Sequence, residues 1–227
     1  KRQIMEDSEL TATVADEDGT STSTITYQWS ESSNGQTFTP ITGATTHKFT
    51  PLQVHVGQYL ELYLTYVDDF GQSQSHTTHF TGPVVNVNDA PTGSVTITGT
   101  ATEDQALTAS DNLADEDGIG VVTYTWSNGA TGDTMTLAQS DVGSTITVTA
   151  SYTDAFGEVE SVASAATSAV ANVNDLPTGA VIITGTATED QVLTASNSLA
   201  DEDGMGAVTY TWSTGATGAT ITLAQSN

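Results

Sequence analysis

The residues with the clearest chemistry in this chain are short acidic motifs that recur. A Glu-Asp pair stands at Glu6-Asp7 and again at Glu103-Asp104. An Asp-Glu-Asp-Gly loop reads Asp16–Gly19, Asp115-Glu116-Asp117-Gly118 and Asp201-Glu202-Asp203-Gly204. Asn86-Val87-Asn88-Asp89 and Asn172-Val173-Asn174-Asp175 each precede a proline by two residues, and Asp68 and Asp154 each open a loop ending Phe-Gly. Carboxylates, side-chain amides and backbone carbonyls are hard oxygen donors, the set from which Ca²⁺ takes six to eight ligands. Zinc or copper fits poorly, because the chain has no cysteine and its four histidines (His47, His55, His76, His79) all fall within residues 1–87 and do not recur. Paired carboxylates also serve glycoside hydrolysis. Their recurrence in every copy speaks instead for a structural role. No G-x-S-x-G elbow, repeated Ser-His-Asp set or phosphate-binding G-x-x-x-x-G-K-[ST] loop occurs, so no catalysis is expected.

Composition points the same way. The 227 residues carry 3 Lys+Arg against 28 Asp+Glu, a formal net charge of −25. Such a charge repels nucleic acid and anionic lipid and draws cations. Hydrophobic residues make up 37%. Thr, Ser and Gly fill the shortfall rather than Lys and Glu, which separates the chain from disordered acidic sequences. Without cysteine no disulfide is available, so small domains here must lean on repetition or metal for stability. No apolar run approaches the roughly 18 residues of a membrane helix.

The elements that position the motifs are read from a repeat. Residues 88–141 and 174–227 are nearly one text: Glu103 maps to Glu189, Asp115 to Asp201 and Trp126 to Trp212, a period of 86 residues. The first copy is diverged, with Tyr27-Gln28-Trp29 matching Tyr124-Thr125-Trp126 and Tyr66–Gly71 matching Tyr152–Gly157. The offset is 97 residues at Trp29 and 86 at Gly43, so the first copy carries 11 extra residues within Ser30–Ile41, expected as a longer surface hairpin. The expected domains are 1–87 (first strand incomplete), 88–173, and 174–227 (last strands missing), read as a fragment of a longer array.

Within the second copy Val95 and Ile97, Leu107 and Ala109, Tyr124 and Trp126, Met135 and Leu137, and Ile146, Val148, Ala150 and Tyr152 are spaced two apart. This is strand alternation. With a last strand around Val159–Val170, about seven short strands per copy and turns every 8–12 residues predict an all-β, Ig-like sandwich. The order Tyr-x-Trp, Thr-x-Thr-Leu, then Asp-Val-Gly before a Tyr-bearing strand resembles the Ig-like repeats of very large bacterial surface adhesins, the RTX-type family included. That resemblance covers essentially the whole chain and implies a secreted, repeated extender region. The cysteines that bridge the sheets of immunoglobulins proper are absent, so Trp29, Trp126 and Trp212 must be held by packing alone.

On such a sandwich the Asp-Glu-Asp-Gly loop and the Asp154 loop lie at the top, and the Glu-Asp turn and the Ser-Asp-Val-Gly corner at the bottom. One seam then gathers Glu6, Asp7, Asn86, Asn88, Asp89, Asp115, Glu116, Asp117 and Asp154. A second gathers Glu103, Asp104, Asn172, Asn174, Asp175, Asp201, Glu202 and Asp203, with Asp141 as an extra candidate ligand. The arrangement also resembles cadherin repeats, where a Glu at the domain base, an Asn-Asp linker and a loop Asp pair share calcium. The bland reading makes the same residues turn formers and solubilising charge. The expected function is a calcium-stiffened extracellular stalk whose partners are adjacent repeats. Two rivals stand beside it: a glycan- or protein-binding adhesion module using the 11-residue insertion, and a fibre subunit completed by strands of neighbouring copies. Tyr59, Tyr63 and Val67 are expected on an outer face of the first copy, and the histidines as exposed strand residues.

Overall fold

The computed structural model describes residues 3–20 and 23–225, and the chain is all-β with several antiparallel sheets. Among the described residues no helix is long and apolar enough to cross a membrane. Contacts divide the chain into two compact units: one runs to Gly93 and takes in Asn112–Val122 and Ser151–Val162, and the other comprises Ser94–Asp111, Thr123–Ala150 and the chain from Ala163.

In the first unit β1 (Leu10–Thr11) pairs with β4 (Lys48–Phe49), and a four-stranded sheet is ordered β3 (Thr39–Pro40), β2 (Thr26–Ser32), β5 (Tyr59–Val67), β6 (Ser73–His79). Strand β5 shows why it forms: Leu60, Leu62 and Leu64 alternate inward while Glu61 and Tyr63 face out, the period of a half-buried strand. Trp29, fully buried, registers with Leu62 across the β2–β5 pair. Its ring stacks on Phe49 of β4 at 5.3 Å and on Phe80 at 6.1 Å, so it joins the faces of the two sheets. The indole N–H donates to Thr46 O, which satisfies the one polar atom this burial would otherwise strand. The 11 additional residues form the β2–β3 hairpin, with Ser30 opposite Pro40 and Glu31 opposite Thr39.

The second repeat supplies a sheet ordered β10 (Thr134–Thr136), β8 (Ala106–Asp111), β7 (Val95–Gly99), and another ordered β12 (Val159–Ala163), β11 (Val148–Thr153), β9 (Thr123–Trp126). The expected alternation holds: Val95, Leu107, Ala109, Trp126, Met135, Leu137, Ile146, Val148, Ala150 and Tyr152 are all buried. The final strand is shorter than expected, because the chain after Ala163 keeps only isolated bridges, Thr145 to Ala169 and Val142 to Val170. Residues from 174 on give β13 (Val181–Thr184), β14 (Val192–Asn197) and β15 (Thr220–Thr222), ordered β13-β14-β15. Here Val181 is 57% exposed where its counterpart Val95 is 4% exposed.

Burial sets the worth of the tryptophans. Trp126 is fully buried and Trp212 only partly, although each indole donates to a glycine carbonyl six residues on. Trp126→Ala is expected to cost about 3–5 kcal/mol of unfolding free energy, in line with large-to-small core changes. Trp212→Ala should cost clearly less, and urea titrations of the two variants check this order.

Candidate metal centre

Three local structures carry the acidic side chains, and each follows from its sequence. In the Glu-Asp turn, Asp7, Asp104 and their counterpart Asp190 take left-handed backbone, φ 55°, 61° and 60°, which Asp tolerates better than branched residues. The turn is tied across the fold: Glu6 N donates to Val85 O and Asp7 N to Pro51 O. In the Asp-Glu-Asp-Gly loop, Asp117 N donates to Asp115 Oδ1 at 2.8 Å, a local turn bond that Asp18 and Asp203 repeat at 2.9 and 3.0 Å. Gly118 closes that loop at φ +92°, where a side chain would be strained. Between the two structures runs the Asn-Val-Asn-Asp segment. Its backbone is held by carboxylates at both ends: Val87 N donates to Glu6 Oε1 at 2.7 Å and Asp89 N to Asp117 Oδ2 at 2.7 Å.

The outcome is a group of carboxylate oxygens from Glu6, Asp89 and Asp117, all within 4.8 Å of one another. Glu6 and Asp117 are 1% and 2% exposed. The same group recurs one period later as Glu103, Asp175 and Asp203. There Val173 N donates to Glu103 Oε2, Asp175 N to Asp203 Oδ2, and Asn172 Nδ2 to Asp203 Oδ1 at 2.6 Å. This copy is more open, with Asp203 exposed.

Electrostatics at the first group are unfavourable for three bare anions. Burial holds the Glu6 carboxyl above its ordinary 4.5, as do the charges of Asp117, Asp89 and Asp7, while the Val87 N–H pulls the other way. Burial also raises Asp89, with Asp117, Asp7 and Asp115 adding to it. Unit charges about 4 Å apart interact by roughly 1 kcal/mol in water and about 4 near protein.

The donor set fits a hard divalent cation. Two oxygens on one Ca²⁺ at about 2.4 Å each lie at most about 4.8 Å apart. Every pair in each group meets that limit. A second observation comes from a residue the sequence reading passed over. Gln53 opens a 3-10 turn, Gln53–His55, and donates Nε2 to Asp117 Oδ1 at 3.1 Å and to Asn86 Oδ1 at 3.4 Å. Its carbonyl oxygen is buried with no hydrogen-bond partner. Gln139, one period on, donates to Asn172 Oδ1 at 3.2 Å, and with its amide turned over its nitrogen reaches Glu103 Oε1 at 2.5 Å and Oε2 at 3.0 Å. Turned over in this way, the Gln139 amide satisfies the Glu103 carboxylate by donation, so the unpaired oxygen is a feature of the Gln53 corner. The recurrence of Gln at the same corner, 86 residues apart, is the signal that would have found it.

The other expected ligands lie outside the two groups. Asp7 and Asp104 are exposed on their turns, close enough that Asp7 acts on Glu6 and Asp89 through its charge. Asp115 is engaged inside its own loop, with Oδ2 accepting from the Tyr152 hydroxyl at 2.5 Å; Asp201 keeps the matching bond to Asp203 N. Glu116 and Glu202 are exposed. Asn86 reaches the first group through Gln53, whereas Asn88 donates to Glu160 and Asn174 to Asp175 O. Asp154 spends Oδ1 on its own loop, accepting from Phe156, Gly157 and Glu158 N. Asp141 caps its own turn, accepting from Ala138 N and Asn128 Nδ2. Of the histidines, His55 is buried and caps the equivalent turn by accepting from Leu52 N, against the expectation of an exposed strand residue.

The raised Glu6 carboxyl gives a pH signature when divalent metal is chelated. Its contribution to stability is present in full below 4.5 and is lost as pH rises through its higher folded value. Glu6→Gln keeps an oxygen for Val87 N and removes the charge. In chelator, wild type minus variant stability should therefore fall from pH 4.5 toward neutrality, read as urea midpoints; a difference that stays flat would contradict the burial of this charge. Comparison with protein-family models and with curated proteins finds no match to the chain, so the chemistry of these two groups carries the functional reading.

Proposed function

We propose that the chain is a structural segment of an extracellular stalk: tandem Ig-like domains, without catalysis, whose linkers are stiffened by Ca²⁺. The observation that carries this reading is the convergence, found twice, of one carboxylate from a Glu-Asp turn, one from the linker and one from an Asp-Glu-Asp-Gly loop, with Gln53 Oε1 left unpaired beside the first. Glu6, Asp89 and Asp117 would hold one ion and Glu103, Asp175 and Asp203 another, with Gln53 as a neutral oxygen donor to the first.

The ion would supply positive charge where three anions meet and where, among the described residues, no lysine or arginine is paired with them. Among the described residues Lys48 is bonded to Glu9. The linker backbone is already anchored at Val87 and Asp89, and neutralising the anchors would lower the cost of keeping them together. At a free concentration 100 times its dissociation constant, one ion stabilises the bound form by about 2.7 kcal/mol. For small domains, whose total stability is about 5–15 kcal/mol, that is a large fraction. Carriage of adhesive or other domains at the tip, and lateral contacts with neighbouring copies or surface glycans, would follow from a stiff rod.

Calcium added to chelator-stripped protein should raise the melting temperature and lengthen the scattering envelope, both reversed by chelator. An unchanged value of both would sink the reading. Asp117→Asn should remove one bound ion and leave the Glu103–Asp175–Asp203 ion in place, checked by calorimetric titration; loss of both ions would contradict two separate groups.

A further inference from the structure

Two asparagines of the chain are followed by glycine, Asn34-Gly35 and Asn128-Gly129, and all four residues are exposed. In such a pair the main-chain nitrogen of the glycine can attack the side-chain carbonyl carbon of the asparagine, because glycine has no Cβ to obstruct the five-membered ring that forms. The fold surrounds the two pairs with opposite hydrogen bonding.

Asn34 lies in the hairpin that only the first repeat carries. Ser32, 4% exposed at the end of β2, accepts from Gly35 N at 3.0 Å and donates through Oγ to Asn34 Oδ1 at 2.9 Å. One hydroxyl thus bridges the nitrogen that must lose a proton and the oxygen that must gain one. Gln36 N and Thr37 N also donate to Asn34 Oδ1, at 2.9 and 3.1 Å. These donors aim at the atom that becomes negative as the ring closes, which is how a developing oxyanion is stabilised.

Asn128 is held the other way. Gly129 N donates to Trp126 O at 2.9 Å, and a main-chain carbonyl has no proton to pass on. Among the described residues its Oδ1 accepts from Ala130 N alone, at 3.1 Å. Its Nδ2, the nitrogen that would have to leave, donates to Asp141 Oδ1 at 3.0 Å. Asp141 is 6% exposed, so an acid at position 128 would set two carboxylates against one another in a buried place.

We infer that Asn34 is a site of spontaneous deamidation built into the first repeat, with Ser32 as the proton-transfer group, and that the fold protects Asn128. Gly35 N gives its proton to Ser32 Oγ while its electron pair forms the bond to Asn34 Cγ, and the Ser32 hydroxyl proton passes to Oδ1. Collapse restores the carbonyl, sends that proton to Nδ2 and breaks the Cγ–Nδ2 bond, releasing ammonia. Water then opens the succinimide at one carbonyl or the other, giving Asp or isoaspartate. No electrons are exchanged with an outside group, and water is the one co-reactant. The product adds negative charge to a loop whose Gly35 packs against the Tyr59 ring. The inference does not rest on the calcium reading.

The test is the rate of amide-to-acid conversion at each asparagine, followed by peptide mass mapping of the chain kept folded at neutral pH or unfolded in guanidinium chloride. Unfolded, the two pairs should convert at similar rates. Folded, Asn34 should convert faster than in denaturant and Asn128 slower, separating the two by about tenfold or more. Ser32→Ala should slow Asn34 by about tenfold, and Ser32→Thr, which keeps the hydroxyl, should restore most of the rate. Conversion of Asn34 no faster folded than unfolded overturns the inference, because the loop then restrains the amide instead of activating it. An unchanged rate in folded Ser32→Ala overturns it as well. The wild-type comparison decides the matter even where a Ser32 variant fails to fold.

Discussion

The constraint on which the rest depends is that backbone N–H groups of a linker are received by carboxylates from two different turns. Val87 and Asp89 donate to Glu6 and Asp117, and Val173 and Asp175 to Glu103 and Asp203. Hydrogen bonds to ionised acceptors are among the stronger ones, so the linker is well held. They also force the anions together, which is why burial and neighbouring charge hold Glu6 and Asp89 above their ordinary values. Attraction along the backbone and repulsion between side chains come from the same oxygens. A divalent cation is the simplest partner that relieves the second without loosening the first.

The β-sandwich core serves that constraint by fixing where the turns emerge. Trp29 ties two sheets through Phe49 and Phe80, and Leu62 and Leu64 of β5 lie buried in the same cluster. The 3-10 turn at Gln53–His55 is capped by its own third residue, as Gln139–Asp141 is, so each Gln side chain leaves its corner from a fixed base. Two different residues, His55 and Asp141, perform that capping, which shows that the acceptor matters there and the charge does not.

Much of this was legible in the residues. Alternation identifies the buried faces, and the period of 86 aligns the acidic motifs. What was not legible is how each oxygen is spent. Asp115 and Asp117 are equivalent in a motif, yet one is used inside its loop and the other faces the linker. Asp141 reads as a ligand by type and is a cap by geometry. Gln53 and Gln139 were missed because an amide in a corner carries no charge signal; only its recurrence marks it. Motif spacing gives the set of available donors, whereas their partners depend on side-chain direction, which spacing does not encode.

The linker is held through main-chain N–H groups at its second position, so the polar part of the join at Val87 and Val173 depends on backbone and not on a particular polar side chain there. On the proposed reading, a duplicated unit that keeps the two turns and the asparagine-aspartate signature would carry the same main-chain anchors. The near-identity of residues 88–141 and 174–227 is the kind of record that copying of such a unit leaves.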